Sequence, residues 1–185
     1  MSVAAFVLTG GHSTRMGRDK ALLPYGDGTL VERVAQVAQR AAGVVHLVGA
    51  PERYVHLGFP CLSERYEGCG PMSGIEAALR HGFDWNLIVA CDMPRLDDNW
   101  LGRLVGMATG GMKSAVVAAH ADGRLEPLCA VYHARLQTHF ETALAEGRFS
   151  VWKLLETIDF SRFAVDDEEY VANLNTMDDW ARWGQ

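Results

Sequence analysis

The sequence has no excess of positive charge. Its 185 residues include 17 Lys and Arg against 23 Asp and Glu, which gives a formal net charge of −6 with the histidines neutral. Because a chain of this charge repels polyanions, we predict no nucleic acid among its partners. Long apolar runs are also missing, since the longest aliphatic stretches, Leu87 to Cys91 and Ala115 to Ala119, reach about a quarter of a membrane-spanning length. We therefore predict no membrane association.

The four cysteines and seven histidines show none of the spacings typical of a zinc site. Cys61, Cys69, Cys91 and Cys129 form no C-x-x-C pair, and no two histidines are spaced as H-x-x-H or H-x-x-x-H. We interpret the cysteines as reduced thiols, partly buried in strands. Residues 1–9 are apolar but lack the basic start of a signal peptide, which predicts a first strand and a cytoplasmic protein.

Apolar runs rich in branched residues alternate along the chain with segments of helical period. This alternation is typical of an α/β fold with a mostly parallel sheet, and the length predicts one domain, 1–185. The predicted strands are Val3–Leu8, Val44–Val48, Asn86–Cys91, Lys113–Ala119, Pro127–His133 and Asp159–Val165. The predicted helices are Thr29–Ala42, a helix containing residues 77–79, a helix from Asp97 or Asp98 to Met107, Arg135–Glu146, Ser150–Leu155 and Thr176–Trp183.

Two Ser/Thr-x-x-Glu spacings, which are typical of a capping box, predict where helices begin. Thr29 with Glu32 opens the first helix, and Ser73 with Glu76 precedes Ala77 of the second. In a capping box the hydroxyl and the carboxylate each accept a backbone N–H at the start of the helix. Both helices should therefore begin at these hydroxyl side chains.

The turn after the first strand is rich in glycine and carries two cations. Gly10 and Gly11 let backbone N–H groups approach an anion, while Arg15 and Lys20 add donors for phosphoryl oxygens. The spacing matches neither the phosphate loop with its Gly-Lys pair nor the G-x-G-x-x-G turn of dinucleotide-binding proteins. It favours a phosphate-binding loop outside those two classes.

Four motifs between residues 8 and 176 follow one another in the order of a known enzyme family. They are Leu8-x-Gly10-Gly11-x-Ser13-x-Arg15-Met16-Gly17-x-Asp19-Lys20, Gly70-Pro71-x-x-Gly74, Cys91-Asp92-Met93-Pro94 and Asn173-x-Asn175-Thr176. With this combination the chain resembles the molybdenum cofactor guanylyltransferases. The motifs span nearly the whole chain, so the resemblance covers both halves of the predicted domain.

The resemblance implies a Rossmann-like three-layer sandwich of the nucleotide-diphospho-sugar transferase type, with nucleotide bound by the N-terminal part and molybdopterin by the C-terminal part. It implies transfer of GMP from GTP to the terminal phosphate of molybdenum-molybdopterin, with Mg²⁺ as cofactor and release of pyrophosphate. Proteins that receive the finished cofactor are further expected partners, and we expect a monomer. Three alternatives stay open: a cytidylyltransferase on the same pterin, a nucleotidyltransferase for a sugar or alcohol phosphate, and a non-catalytic nucleotide-binding partner protein.

The resemblance also assigns nucleotide-binding residues: Leu8, Thr9, Gly10, Gly11, Lys20, Gly49, Ser63, Glu64 and Asp92. Glycine at position 10 accompanies guanine in this family, where cytidylyl-transferring relatives carry alanine. The chain departs from the family pattern beside these positions. Gly49 stands where Asn is common, Ser63 and Glu64 stand near a usual Asp, and Thr9 replaces a usual Ala.

The predicted catalytic residues are Arg15, Lys20 and Asp92. The two cations would offset negative charge on the α-phosphate and on the departing pyrophosphate. Asp92 directly follows a buried-looking strand, at the end where α/β sheets bind ligands, so we predict that it binds Mg²⁺. The alternative is that Asp92 only caps the next segment. The predicted molybdopterin-binding residues are Arg124, Arg148, Asn173 and Asn175.

Overall fold

The computed structural model describes residues 1–10, 19–176 and 179–180, and its main feature is one seven-stranded sheet. The strands in chain order are β1 Val3–Leu8, β2 Pro24–Tyr25, β3 Gly28–Thr29, β4 Val45–Gly49, β5 Cys61–Ser63, β6 Trp85–Ala90, β7 Ala115–Ala119, β8 Leu125–His133 and β9 Phe160–Ala164. The sheet has the order β5-β4-β1-β6-β8-β7-β9, and β2 pairs with β3 in a separate hairpin. Only β8 runs against its neighbours in the described sheet. The predicted α/β class with a mostly parallel sheet is confirmed.

Helices cover both faces of this sheet. They are α1 Leu30–Ala42, α2 Pro51–Tyr54, α3 Pro71–Arg80, α4 Asp98–Gly110, α5 Gln137–Ala145 and α6 Val151–Leu155. In β1, Ala5 and Val7 pack with α1 and α4 in one apolar core, while Ala4 and Phe6 pack with α3 and α5 in the other. Since successive side chains of a strand point to opposite faces, a strand buried on both faces is apolar throughout. No described helix is both long enough and apolar enough to cross a membrane.

The two predicted capping boxes have different outcomes. Thr29 is the N-cap of α1, and both reciprocal hydrogen bonds with Glu32 are present. By contrast, α3 begins at Pro71, two residues before Ser73, which lies fully buried inside the helix. Proline suits the first helical position, and Gly70 before it has a φ of 62°, which favours glycine. The prediction for Ser73 is therefore wrong.

Strand β8 begins two residues before the predicted start, so Pro127 lies inside it. The pairing of β7 with β8 shifts register here: Val117 pairs with Ala130, but the next residue, Ala118, pairs with Glu126. A bulge of this kind accommodates a proline, which has no N–H for the ladder. The Tyr132 hydroxyl donates a hydrogen bond to the carbonyl oxygen of Pro127 at 2.9 Å and holds the bulge in place.

The other predicted strands and helices are present with their ends moved by a few residues. Three short elements were not predicted: the β2/β3 hairpin, α2 and β5. Each of these strands and helices has four residues or fewer, which is too short to show a hydrophobic period. Of the predicted last helix, Thr176–Trp183, the structure describes residues 176, 179 and 180, and the last two are helical. The rest lies outside the described residues.

Candidate active site

The candidate site lies at the edge of the sheet where β1 and β6 end. Leu8 pairs with Ala90 across these parallel strands, so Thr9-Gly10 and Cys91-Asp92 leave the sheet side by side. Because β8 runs in the opposite direction, it begins at this same edge. A cavity of about 770 Å³ opens there, and residues from all three strand ends contribute to its walls. This is the edge at which open α/β sheets bind ligands.

Lys20 and Asp92 form an ion pair on the wall of this cavity. The Lys20 Nζ lies 3.1 Å from Asp92 Oδ2 and donates a second hydrogen bond to Asn175 Oδ1, also at 3.1 Å. The side chains are 13% and 23% exposed, respectively. Three distant parts of the sequence therefore meet at one ammonium group. A cation and a carboxylate with this little solvent around them interact more strongly than a surface pair.

The turn that carries Lys20 is fixed by Asp19. The Asp19 carboxylate caps the 3₁₀ turn Lys20–Leu22 by accepting the N–H of Ala21. It also accepts a hydrogen bond of 2.8 Å from the Tyr54 hydroxyl, while Arg53 lies 3.4 Å away. Burial, followed by the hydrogen bond to Asp19, raises the pKa of Tyr54, so this hydroxyl keeps its proton. Asp19 thus positions Lys20.

Asn173 and Asn175 are held at the cavity by backbone contacts. The N–H of Leu174 donates to the carbonyl oxygen of Asp92 at 2.9 Å, which anchors the segment beside the metal-ligand candidate. The N–H groups of Asn175 and Thr176 both donate to Asp179 Oδ2. These donors, Asn175 first, lower the pKa of Asp179. Both asparagines are therefore presented to the cavity from a fixed backbone.

Glu64 lies against the glycines of the first loop. A Cβ added at Gly10 would meet Glu64 Oε1 at 3.1 Å, and one added at Gly74 would meet the same oxygen at 3.2 Å. The carboxylate therefore occupies space that these two residues leave open by having no side chain. Burial raises the pKa of the Glu64 carboxyl. A carboxylate in this position is a hydrogen-bond acceptor for a ligand bound along residues 8–10.

Gly49 and Thr9, which both depart from the family pattern, lie against each other. The Thr9 hydroxyl donates to the carbonyl oxygen of Val48 at 2.8 Å. A Cβ at Gly49 would lie 2.4 Å from that hydroxyl oxygen, and the φ of Gly49 is 150°. No side chain fits at position 49 while threonine stands at position 9.

The structure brings together one part of the predicted site. The predicted residues that line the cavity are Leu8, Thr9, Gly10, Lys20, Asp92, Asn173 and Asn175. Gly49 and Glu64 lie beside the first loop, next to Thr9 and Gly10, and Ser63 is exposed at the end of β5. Gly11 and Arg15 lie outside the described residues, so their predicted roles stay predictions.

The two predicted molybdopterin-binding arginines each pair with a nearby glutamate. Arg124 NH1 donates to Glu126 Oε1 at 2.6 Å. Arg148 donates from two nitrogens to Glu146 Oε2 and borders a separate depression of about 240 Å³. Neither side chain is among the described residues that line the main cavity. Their predicted contact with molybdopterin stays a prediction.

The cavity wall also includes residues that were not predicted as site residues, among them two aromatic side chains, a cysteine and Glu126. Phe149 and Trp152 are each 47% exposed beside it, and the Cys91 thiol adjoins Asp92. Burial raises the pKa of Cys91 to about 12, so the thiol is uncharged at neutral pH. No sequence signal marked these two aromatic residues, because Phe149 precedes α6 and Trp152 lies on its exposed side, away from the buried residues of that helix.

Asp92 is chemically suited to bind a divalent cation. Mg²⁺ prefers oxygen ligands and usually takes one or two carboxylates, with water and substrate phosphates completing its shell. Within residues 1–10, 19–176 and 179–180, no cluster of three or more His, Cys, Asp or Glu side chains could hold a metal. A cation at Asp92 would therefore complete its shell with water and with oxygens from the ligand. A triphosphate supplies such oxygens.

Comparisons with known proteins agree in family and fold. The family model of the MobA-like NTP transferase domain matches residues 5–162. A relative from Opitutus terrae named "Probable molybdenum cofactor guanylyltransferase" is 35% identical over 190 residues, which covers 96% of this chain and 93% of the relative. The crystal structure of molybdopterin-guanine dinucleotide biosynthesis protein A from Archaeoglobus fulgidus matches with a TM-score of 0.85 at 25% identity, covering 98% and 96% of the two chains. Rv0371c from Mycobacterium tuberculosis H37Rv, solved in complex with manganese, matches with a TM-score of 0.73 at 20% identity, covering 99% and 97%.

Proposed function

Because this chain belongs to the family of MobA-like NTP transferases, we propose that it transfers GMP from GTP to the terminal phosphate of molybdenum-molybdopterin. Family membership makes it a nucleotidyltransferase of molybdenum cofactor biosynthesis, as the sequence motifs predict. The nucleotidyltransferase type of the fold is confirmed as well. The names of the Opitutus and Archaeoglobus relatives support guanine and molybdopterin as the two substrate components.

One observation carries the proposal: Lys20 and Asp92 meet within 3.1 Å in a cavity that also includes Gly10. A triphosphate bound along the first loop would reach both side chains. The cavity continues past them to the start of β8, which leaves room for a second substrate on the other side. A site with a cation, a carboxylate and space for two ligands suits group transfer between them.

In the proposed reaction, an oxygen of the acceptor phosphate attacks the α-phosphorus of GTP. The bond from that phosphorus to the bridging oxygen breaks, and pyrophosphate leaves with the electron pair. Such a step depends mainly on alignment and on positive charge near the phosphoryl oxygens. Lys20 would turn from Asp92 to the phosphates and offset their charge. The neighbouring Asn175 amide, which already bonds Lys20, would help to direct it.

Mg²⁺ bound at Asp92 would polarise the phosphoryl oxygens and neutralise charge on the leaving group. The protein's contribution is to hold the Asp92 carboxylate at the strand end, where the backbone bond from Leu174 to the Asp92 carbonyl fixes the chain. Manganese in the complex of the Mycobacterium tuberculosis protein supports a divalent cation in this fold.

Glu64 and Gly10 support guanine as the base. Guanine presents two neighbouring donors, N1–H and the 2-amino group, to which a carboxylate is the natural acceptor. Cytosine presents a single amino donor beside an acceptor nitrogen, which a carboxylate would repel. Glu64 Oε1 lies 3.1 Å from the place that a Cβ of residue 10 would take. The carboxylate would therefore be within reach of a base bound beside Gly10.

Replacement of Asp92 tests the proposal directly. Purified wild type, Asp92→Ala and the control Asp159→Ala would be incubated with Mg²⁺, molybdate-loaded molybdopterin and either GTP or CTP, and pyrophosphate release measured. Asp159 is an exposed acid that pairs with Lys113 outside the cavity. We expect turnover with GTP in wild type and Asp159→Ala, and none in Asp92→Ala.

The outcomes separate the alternatives. No pyrophosphate release from wild type with either nucleotide would refute the enzymatic proposal and favour a binding protein. Faster turnover with CTP would refute only the assignment of guanine. Wild-type rates in a correctly folded Asp92→Ala would remove the role of Asp92 as a metal ligand. Circular dichroism of the three proteins checks the fold.

A further inference from the structure

The start of β8 places a carboxylate at the end of the cavity away from the first loop. Glu126 directly precedes Pro127 at the bulge, lines the cavity and keeps 13% of its side chain exposed. Strands β6 and β8 are antiparallel and Val89 pairs with Cys129. The chain that leaves β6 with Asp92 therefore lies beside the start of β8, which carries Glu126. Glu126 and the first loop therefore lie on opposite sides of Asp92.

Glu126 is oriented by two donors that contact the same oxygen. Arg124 NH1 donates to Oε1 at 2.6 Å, and His120 Nε2 lies 2.8 Å from this oxygen. We call Arg124 and His120 the clamp. His120 is buried, and its Nδ1 faces Glu168 Oε2 at 2.5 Å, so both ring nitrogens have carboxylate neighbours. The clamp fixes the direction of the carboxylate group.

The second oxygen of Glu126 has no hydrogen-bond partner among the described residues. Every contact of the carboxylate with the clamp uses Oε1, and Oε2 is not one of the buried polar atoms without a partner. Oε2 therefore keeps contact with solvent from a group that lines the cavity. An oriented acceptor with one open oxygen suits a ligand that carries N–H donors.

Aromatic side chains border the same end of the cavity. Phe149 and Trp152 line it together with Pro127 and Leu128, and the two aromatic rings are each about half exposed at 47%. Half-exposed aromatic rings beside an apolar wall suit the faces of a flat heterocycle. Glu126 and both aromatic side chains line one cavity, which suits a planar ligand with N–H donors on its rim.

We propose that Glu126 recognises the pyrimidine edge of the pterin, with Oε2 accepting from the ring N3–H and 2-amino groups. The inference rests on the proposed function, which supplies a pterin as the second substrate. Phe149 and Trp152 bind the ring faces, and the phosphate of the acceptor points back to Asp92. Arg124 and His120 are positioning residues that act through Glu126. Arg124 therefore affects binding of the pterin substrate through Glu126 and does not contact the pterin.

The chain offers a matched control for Glu126. Glu168 also contacts His120, but through the other ring nitrogen, and it is 64% exposed and not among the residues that line the cavity. Glu126→Gln and Glu168→Gln make the same chemical change on the two sides of one histidine. Only Glu126 lines the cavity, so only Glu126→Gln would remove a contact with the ligand.

Two measurements would be made on each protein. The KM values for GTP and for molybdate-loaded molybdopterin come from the pyrophosphate assay, and equilibrium dialysis gives the Kd of 6-hydroxymethylpterin, which has no phosphate. We expect Glu126→Gln to raise the KM for molybdopterin and the Kd for the pterin about tenfold or more, because a charge-assisted hydrogen bond is lost. The KM for GTP stays at the wild-type value. Glu168→Gln leaves all three constants near wild type.

Two substitutions of Arg124 test whether this residue positions Glu126. Arg124→Ala should raise the KM for molybdopterin while the KM for GTP is unchanged, and Arg124→Lys should restore part of the loss because it returns a donor to Glu126. A merely structural role would change both KM values together, and lysine would not rescue one of them selectively.

The failures of the two proposals are distinguishable. If wild type transfers GMP but Glu126→Gln keeps its affinity for pterin and molybdopterin, the inference on Glu126 is overturned and the function stands. An increase in the KM for GTP alone would also overturn it, since Glu126 would then face the guanine. If wild type binds the pterin through Glu126 but releases no pyrophosphate, the inference stands and the function fails.

Discussion

At the scale of single residues, the missing Cβ of Gly10 leaves space that the Glu64 carboxylate occupies, and the proposed function places the guanine beside it. An added methyl group would lie 3.1 Å from Glu64 Oε1, which is tighter than ordinary van der Waals contact. In Gly10→Ala the carboxylate has to move away from its position beside the first loop. We expect the KM for GTP to rise about tenfold, since the loss of one good hydrogen bond has that size. The ratio of kcat/KM for GTP to that for CTP falls accordingly.

Gly102→Ala is the matched control for this change. Gly102 lies within α4, and a Cβ there would meet nothing within 4 Å. This variant should keep the wild-type preference between GTP and CTP. The pyrophosphate assay with each nucleotide measures both variants. An unchanged preference in Gly10→Ala would show that Glu64 does not read the base.

At the scale of elements, the capping box of α1 should contribute measurably to stability. The Thr29 hydroxyl accepts the N–H of Glu32, and the Glu32 carboxylate accepts the N–H of Thr29 at 2.8 Å. Thr29→Ala removes one of these partners at the start of a helix whose inner face is buried against the sheet. We expect a loss of about 1 kcal/mol in the free energy of unfolding, measured by urea denaturation.

Thr142→Ala serves as the comparison for Thr29→Ala. Thr142 is an exposed threonine within α5 and not an N-cap. Its replacement should change the free energy of unfolding by less than about 0.5 kcal/mol. Equal losses in the two variants would contradict a specific role for the capping box. The pyrophosphate assay should give wild-type activity for both proteins.

The same two capping motifs explain what sequence could predict about the elements and what it could not. At Thr29 the local pattern agrees with the chain around it, so both the helix and its start were predictable. At Ser73 the pattern was equally good, but Glu76 pairs with Arg80 and Arg65 inside the fold instead of capping the helix. Local spacing predicts the existence of a helix better than its first residue. The bulge at Pro127 likewise depends on pairing with β7, which no local pattern contains.

At the scale of the whole molecule, the meeting of Lys20 and Asp92 was predictable in outline, whereas Asn175 was assigned only from its motif. Lys20 lies in the segment after β1 and Asp92 follows β6, and parallel strands bring their carboxyl ends to one edge. The partners of individual charges were not predictable, because they come from distant parts of the chain. Tyr54 bonds Asp19 across 35 residues, and Lys20 bonds Asn175 across 155.

Folding also buries histidines, which predicts how the stability of the molecule depends on pH. His46 in β4 is buried, its ring stacks on Phe6 at 5.2 Å, and its Nε2 lies 3.1 Å from His81 Nε2. Burial, followed by the nearby His81, lowers the pKa of His46. Burial, followed by Arg135, lowers the pKa of His133 in the same direction.

A histidine with a lowered pKa binds its proton more tightly in the unfolded chain. The stability it contributes is therefore complete above its unfolded pKa of about 6.5 and is lost as the pH falls below that value, until it levels off beneath the folded pKa.

We expect the free energy of unfolding to fall as the pH is lowered from about 7.5 to about 5. The fall should be smaller in His46→Leu, whose own stability at high pH sets the reference. Urea denaturation at a series of pH values measures the slope, and His56→Leu, which replaces an exposed histidine, should keep the wild-type slope. A His46→Leu protein with the full wild-type slope would show that the proton is taken up elsewhere, because removal of the titrating ring has to remove its share of the linkage.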